Sequence, residues 1–145
     1  MSLLSFGAYS DYLRTRVVQA QYFKDPYEHE EYLAKNVFLP YINNEVVEER
    51  KESYKKNLAS LDLLLLYMWK DDKTVVPKES SLFGVYDPNT KEVVGLRQQD
   101  LDKEDWIGLR ELDESGKLRL DVLEGEHMQI DWDFFNQTIV HGVLS

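Results

Sequence analysis

The 145-residue sequence contains no cysteine, only three histidines and no apolar run long enough to cross a membrane. The absence of cysteine excludes a thiol nucleophile, a thiolate metal site and any disulfide bond within this chain. His29, His127 and His141 are widely spaced and form no His-Glu-x-x-His motif, so we expect no metal site. The N-terminus also lacks the basic flank and long apolar stretch of a signal peptide.

Basic residues are in deficit as well. The chain has 27 acidic and 17 basic residues, for a formal net charge of −10. Nucleic acids and anionic membranes both require a basic binding face, so we expect neither as a partner. The apolar content of 43% and aromatic content of 12% are those of a folded domain with a core, and not of a disordered chain.

The N-terminal third reads as short helices. Residues 10–20 have helical spacing after a possible cap at Ser10. Residues 22–45 are rich in aromatics and are interrupted by Pro26 and Pro40, which predicts several short helices and turns. These aromatics suit a lid over an apolar surface, although ordinary packing of an irregular region explains them equally well.

The rest of the chain alternates between helical and strand patterns. A helix is predicted over residues 49–60, followed by a continuous apolar run to Trp69 that is typical of a fully buried parallel strand or of a buried continuation of the helix. Residues 83–96 have the pattern of a hairpin around an Asp-Pro-Asn-Thr turn.

Three further elements complete this half. Residues 100–112 read as one helix with Asp102 as its N-cap and with Gly116 just beyond its end. Residues 117–123 alternate as a strand does, and residues 132–143 form a last helix. Because strands and helices alternate, we predict an α/β fold with a parallel sheet.

Two loops at the ends of the predicted strands carry the candidate chemistry. Sites in parallel sheets collect at the carboxyl ends of strands, where Asp72 and His127 would both lie. A carboxylate that accepts the Nδ1 proton of an imidazole fixes its tautomer and leaves Nε2 as a general base. Asp71 competes with Asp72 for the acid's role, and a lone loop histidine is more often a surface group than a base.

The third member of a hydrolase triad has no candidate in the sequence. The strained turn that presents a nucleophilic serine usually reads Gly-x-Ser-x-Gly, and no serine here has that context. Ser115 precedes Gly116 but follows two acidic residues, so it reads as the end of a helix and not as a nucleophile.

Several specific strings resemble a known family. "ESYKKNL", "LFGVY", "DWIGLRELDESGKL" and "LEGEHMQ" are similar to the C-terminal half of the palmitoyl-protein thioesterases, and the similarity extends from about Gly7 to the chain end. The resemblance implies the C-terminal half of an α/β-hydrolase fold together with part of an inserted helical lid. It implies a lysosomal serine hydrolase that removes long-chain fatty acyl groups from protein cysteines without a cofactor.

The same resemblance assigns roles to individual residues. It places the triad acid on Asp72 and the base on His127, and it gives residues 1–48 to the lid and residues 49–145 to the hydrolase core. Tyr22 and Phe23 in the lid are the candidate contacts to the acyl chain. The sequon at Asn136 falls in a predicted helix, where an unused match is the simpler interpretation.

The chain departs from the family because the half that carries the serine, the oxyanion-hole groups and the secretion signal has no counterpart here. We therefore expect a part of a full enzyme that is inactive alone, rather than a shortened relative. A non-catalytic module that binds acyl chains or a protein partner is the alternative. We also expect the chain to self-associate through an exposed edge of its sheet.

Overall fold

A computed structural model of the chain describes residues 22, 24, 25, 27–87 and 89–143. The helix predicted over residues 10–20 and the candidate Phe23 lie outside the described residues. In chain order the helices and strands are α1 (His29–Lys35), α2 (Leu39–Ile42), α3 (Glu52–Ala59), β1 (Leu64–Trp69), β2 (Val85–Tyr86), β3 (Val93–Val94), α4 (Asp100–Lys103), α5 (Leu109–Glu114), β4 (Leu118–Leu123) and α6 (Trp132–Phe134). Helix α6 continues as a π-helix over Phe135–His141, and short 3-10 turns cover Val47–Glu49, Lys78–Leu82 and Leu96–Gln98.

A parallel pair of strands forms the centre of the molecule. β1 and β4 are in register from the Leu64–Leu118 pair to the Trp69–Leu123 pair, whereas β2 and β3 form a separate antiparallel hairpin. The predicted parallel strands and hairpin are therefore confirmed. The prediction that β1 is fully buried is wrong, because Met68 is its only buried residue. Among the described residues β4 is the only strand that pairs with β1, so no strand occupies its other edge.

Helices pack against both faces of β1. Leu64 and Leu118 share one face and pack with buried residues of the region from Leu96 to Leu112, among which Leu109 and Leu112 are fully inaccessible. On the opposite face the ring of Tyr67 makes an edge contact with Phe134 of α6, with 5.4 Å between the ring centroids. Because apolar side chains of β1 point alternately to the two faces, both sides need cover, as the continuous apolar run indicates.

The helix predicted over residues 100–112 is two helices. α4 ends at Lys103 and α5 begins at Leu109, and in between Asp105 and Gly108 have positive φ angles of 52° and 88°. A Cβ on Gly108 would lie 2.7 Å from the carbonyl oxygen of Lys55, so the chain turns where it passes close to α3. The periodicity of the apolar residues continues across the turn, which explains why it reads as one helix.

The role predicted for Asp102 as an N-cap is also wrong. Asp102 lies inside α4 with 6% of its surface exposed, and residue Gln99 occupies the N-cap position. The confirmed stop is Gly116, which follows α5 with a φ of 73°. That conformation costs a glycine little because it has no Cβ.

The N-terminal segment consists of short helices, as predicted for residues 22–45. The helix predicted over residues 49–60 is shorter in the structure, because Arg50 and Lys51 are extended before α3. Asn44 fastens this segment to the core. Its side-chain Nδ2 donates to the carbonyl oxygen of Trp106 at 2.8 Å, and its Oδ1 accepts from the amide of Lys51 at 2.9 Å.

Candidate active site

The loops after β1 and β4 begin side by side. The parallel ladder continues beyond both strands, because the amide of Lys70 donates to the carbonyl of Leu123 at 2.8 Å and the amide of Asp71 donates to the carbonyl of Gly125 at 3.0 Å. These two hydrogen bonds hold the start of one loop against the start of the other. The two candidate side chains follow within a few residues, on the same edge of the sheet.

Asp72 and His127 are in direct contact. Oδ2 of Asp72 lies 2.8 Å from Nδ1 of His127, within hydrogen-bonding distance. The Asp72 side chain is 2% exposed and the His127 side chain is 37% exposed, so the carboxylate is covered while the imidazole reaches solvent. The prediction that these two side chains lie within reach of each other is confirmed. Their catalytic roles stay a prediction.

The second oxygen of Asp72 is held by the backbone. Oδ1 accepts hydrogen bonds from the amides of Thr74 at 2.8 Å and Val75 at 3.1 Å. Burial raises the pKa of Asp72, but the hydrogen bonds from His127 and from these two amides outweigh it and bring the pKa below its ordinary value. Asp72 is therefore ionised near neutral pH and can only accept from the imidazole.

This geometry decides which nitrogen of His127 carries the proton. An ionised carboxylate has no hydrogen to donate, so the neutral ring must keep its proton on Nδ1, facing Asp72. The lone pair is then on Nε2, and the arrangement can remove a proton from a group placed there. Sequence reasoning missed the two amides on Oδ1, although aspartate at the start of a loop commonly forms such a turn with residues two and three positions on.

The structure separates Asp72 from its competitor. Asp71 is exposed and contributes its backbone amide to the ladder, whereas the next residue turns its carboxylate toward the imidazole. Ser115 donates its hydroxyl to the carbonyl of Leu112 at the end of α5, which agrees with the predicted helix end. Asn136 lies in the π-helix and is half-buried, so the sequon is in a helical segment as predicted.

Tyr22 lines a small cavity between the N-terminal segment and the residues that follow Asp72. The cavity has a volume of about 130 Å³, and its lining includes Tyr22, His29, Val76, Pro77 and Tyr86. Neither Asp72 nor His127 lines it. Tyr22 is 59% exposed, so most of its surface faces outward rather than into the protein.

Within the ranges that the structure describes, no cluster of three or more acidic or histidine side chains could hold a metal ion. No helix in the same ranges has the length and hydrophobicity that a membrane span requires.

Comparison with known proteins gives a consistent result. A family model described as "Palmitoyl protein thioesterase" matches residues 1–127, and so includes both Asp72 and His127. Palmitoyl-protein thioesterase 1 of Caenorhabditis elegans is 44% identical over 129 residues, which are 88% of this chain and 43% of that protein. Palmitoyl-protein thioesterase 3 of Dictyostelium discoideum is 42% identical over 111 residues, which are 76% of this chain and 38% of that protein.

A second group of relatives has a different name. Lysosomal thioesterase PPT2-B of Xenopus laevis is 34% identical over 81% of this chain and 40% of its own length. The chain thus spans about two fifths of the length of these relatives.

Proposed function

The chain belongs to the palmitoyl-protein thioesterase family, and from that membership we propose that it supplies the acid and the base of a serine-dependent thioesterase. The proposed reaction is the hydrolysis of long-chain fatty acyl thioesters on protein cysteines. The observation that carries the proposal is the 2.8 Å contact between Asp72 and His127 at adjacent strand ends. An ionised carboxylate that contacts Nδ1 of a partly exposed imidazole is the arrangement that serine hydrolysis needs.

In the proposed mechanism, Nε2 of His127 takes the proton of a serine hydroxyl as the oxygen attacks the thioester carbonyl. Asp72 stabilises the resulting imidazolium through Nδ1. The cysteine sulfur then leaves as a thiolate, which is a good leaving group because a thiol has a pKa of about 8.5. The thiolate takes the proton from Nε2 and so returns the imidazole to its neutral form. The base therefore contributes most to the activation of the serine and, in the second half of the reaction, of the water that releases the fatty acid.

We assign the serine to a part of the enzyme outside these 145 residues, because they contain no Gly-x-Ser-x-Gly motif. The 145-residue chain by itself should then be inactive, since the loss of a triad's nucleophile lowers turnover by on the order of 10⁶-fold. Residues 49–145 would form the C-terminal part of the α/β-hydrolase core. Residues 1–48 would form the later part of a helical lid.

The lid proposal includes the acyl-binding residues. The cavity beside Tyr22 lies between the N-terminal segment and the Asp72 loop, which is where a lid would meet the core. Its volume of about 130 Å³ is below the ~300–1,000 Å³ of usual ligand pockets, so it would accommodate only part of a long acyl chain. We assign Tyr22 and Phe23 to this contact. The lysosome is the proposed site of action, because relatives of the chain are named lysosomal thioesterases.

A histidine substitution tests the proposal. The protein that carries this sequence would be isolated from its source cells, in parallel with His127→Ala and His141→Ala variants expressed in the same cells, and assayed for hydrolysis of a palmitoyl-cysteine peptide. We expect His127→Ala to lose the activity and His141→Ala, which changes an exposed histidine in the last helix, to keep it. Hydrolysis that survives His127→Ala would overturn the assignment of the base.

The alternative function is a non-catalytic module that binds acyl chains or a protein partner. The absence of the serine motif from the sequence favours it. The covered carboxylate of Asp72 favours the enzyme, because a binding module has no need of an ionised side chain buried against an imidazole. Saturable binding of a palmitoylated peptide by the isolated protein, without hydrolysis, would support the binding module.

A further inference from the structure

The turn that carries His127 has a strained backbone. The amide of Gln129 donates to the carbonyl of Glu126 at 3.1 Å, which closes a four-residue turn with His127 and Met128 at its centre. Met128 has a φ of 51°, a conformation that is unfavourable for a residue with a side chain. Such a turn persists only where neighbouring contacts hold it.

The Gln129 side chain provides one of those contacts. Its Oε1 accepts a hydrogen bond from the amide of Glu126 at 3.0 Å, so that Gln129 binds both the amide and the carbonyl of the same residue. Gly125 leaves room for this side chain, because a Cβ there would lie 2.6 Å from Oε1 of Gln129. Gln129 thus makes two hydrogen bonds to the residue before His127, and these bonds hold the turn on which His127 lies.

Trp69 connects this closed turn to the strand that leads to Asp72. Its indole Nε1 donates to the carbonyl oxygen of Gln129 at 3.3 Å, across 60 positions of sequence. Trp69 is the last residue of β1, immediately before the segment that carries the carboxylate. The two side chains of the candidate site therefore belong to loops that are fastened to each other by Gln129 as well as by their own contact.

We infer that Gln129 is a positioning residue that, together with Trp69, holds the imidazole of His127 in register with the carboxylate of Asp72. The inference rests on the proposed catalytic role of His127. Gln129 acts through the loop and needs no contact with substrate. We call the hydrogen bonds of Gln129 to Glu126 and of Trp69 to Gln129 the clamp. A displacement of about 1 Å at a reacting group lowers rates by on the order of 100-fold, so we expect the clamp to affect the rate of hydrolysis even though the turn is on the surface.

The ring tautomer of His127 reports on the clamp directly. ¹⁵N NMR of the protein labelled at histidine distinguishes a proton on Nδ1 from a proton on Nε2, at a pH where the ring is neutral. We expect the Nδ1–H form in the unchanged protein. In Gln129→Met, which removes the acceptor and keeps the length of the side chain, we expect a mixture of the two forms. Gln129→Glu, a separate variant, keeps an acceptor oxygen and should therefore keep the Nδ1–H form.

The chain offers a matched control. Oε1 of Gln98 accepts from the amide of Gly95, and the Gln98 amide donates to the Gly95 carbonyl, so the same pair of hydrogen bonds closes a turn in another part of the molecule. Gln98→Met should leave the His127 tautomer and the activity unchanged. In the hydrolytically active protein, Gln129→Met should lower kcat by about 10–100-fold with KM little changed, because an interaction that matters in the transition state is lost.

A folded Gln129→Met protein with the Nδ1–H tautomer and unchanged kcat would overturn the inference. If that variant does not fold, Trp69→Phe removes the indole donor while keeping an aromatic ring. A mixture of tautomers in Trp69→Phe would then support the inference, and an unchanged Nδ1–H form with unchanged kcat would overturn it. A lower melting temperature with an unchanged tautomer would mean that the residue is structural only, which also contradicts the inference. The tautomer measurement is independent of hydrolysis, so failure of the proposed function is recognised separately by an active His127→Ala variant.

Discussion

Oδ2 of Asp72 lies 2.8 Å from Nδ1 of His127, although the two residues are 55 positions apart in the sequence. The distance follows from the register of β1 with β4, which places the ends of the two strands opposite each other. A shift of this register by one residue would turn the side chains of one strand to the other face and would also displace its loop. The pairing of the strands and the candidate site are therefore parts of the same arrangement.

The first prediction concerns the acid. In the active enzyme, Asp72→Asn should lower kcat by about 10⁴-fold, as in other triads, because an amide in this position can hold the wrong tautomer of the imidazole. Asp71→Asn removes the same charge from the adjacent exposed residue and should leave kcat close to that of the unchanged enzyme. Steady-state hydrolysis of a palmitoyl thioester checks both. Equal losses in the two variants would show that the negative charge of the loop, and not the contact with His127, is what matters.

Patterns in the sequence predict the parallel strands because burial controls them. The apolar residues of β1 are continuous because both faces of that strand are covered. Those of β4 alternate with polar residues because only one of its faces is covered. The turn between α4 and α5 could not be predicted in this way. It depends on the close approach of Gly108 to α3, a contact between residues more than 45 positions apart, which no local pattern contains.

The same distinction applies to the candidate site. The positions of Asp72 and His127 at strand ends follow from the order of the elements, and the sequence therefore indicates their proximity. The hydrogen bonds of Gln129 depend on a positive φ at Met128, which has no preference for that conformation. Choosing Asp72 over Asp71 likewise requires the direction of a side chain in a turn.

The second prediction tests the turn before α5 through three glycines. Gly108→Ala combines a positive φ with a close contact to the Lys55 carbonyl, and should destabilise the protein by about 2–4 kcal/mol. Gly116→Ala has the positive φ but no atom within 4 Å, and should cost only about 1 kcal/mol. Urea denaturation gives both values.

Gly95→Ala is the control for this series. Gly95 has a φ of −71° and no atom within 4 Å of a new Cβ, so alanine should be neutral or stabilising by about 0.4–1 kcal/mol. A cost for Gly108→Ala no larger than that for Gly116→Ala would contradict the close approach to α3.

The third prediction concerns the edge of β1 that, in the described part of the chain, pairs with no strand. The amides of Leu64 and Lys70 both donate to β4 or its flanking residues, so by alternation the amide of Leu65 faces away from β4. Unpaired amides on an apolar strand favour pairing with another chain. We expect the 145-residue chain to self-associate with increasing concentration, and Leu65→Pro, which removes an outward-facing donor, to weaken this association in sedimentation velocity experiments.

Leu66→Pro is the matched comparison for the edge. Its amide faces β4, so proline there removes a hydrogen bond of the ladder and should lower the melting temperature instead. A monodisperse unchanged chain at all concentrations would rule out the exposed edge as an association surface.

The last prediction concerns a buried carboxyl group away from the candidate site. Asp102 is 6% exposed, and within the described residues no donor reaches its Oδ1. Burial raises the pKa of Asp102, and the carboxylate of Asp113 raises it further against the opposing effect of Arg97. The folded carboxyl therefore binds a proton at a higher pH than the unfolded one does.

The sign of the effect on stability follows from linkage. Above the raised pKa the charge of Asp102 destabilises the fold, and this penalty disappears as the pH falls through the raised pKa toward the ordinary value of 3.8. Asp102→Asn should therefore be more stable than the unchanged protein at pH 7 in urea denaturation, with the difference shrinking as the pH is lowered. Asp100→Asn, an exposed change in the same helix, should show no such trend. A stability difference for Asp102→Asn that is constant with pH would mean that the carboxyl does not gain a proton on folding, and that its buried oxygen has a partner after all.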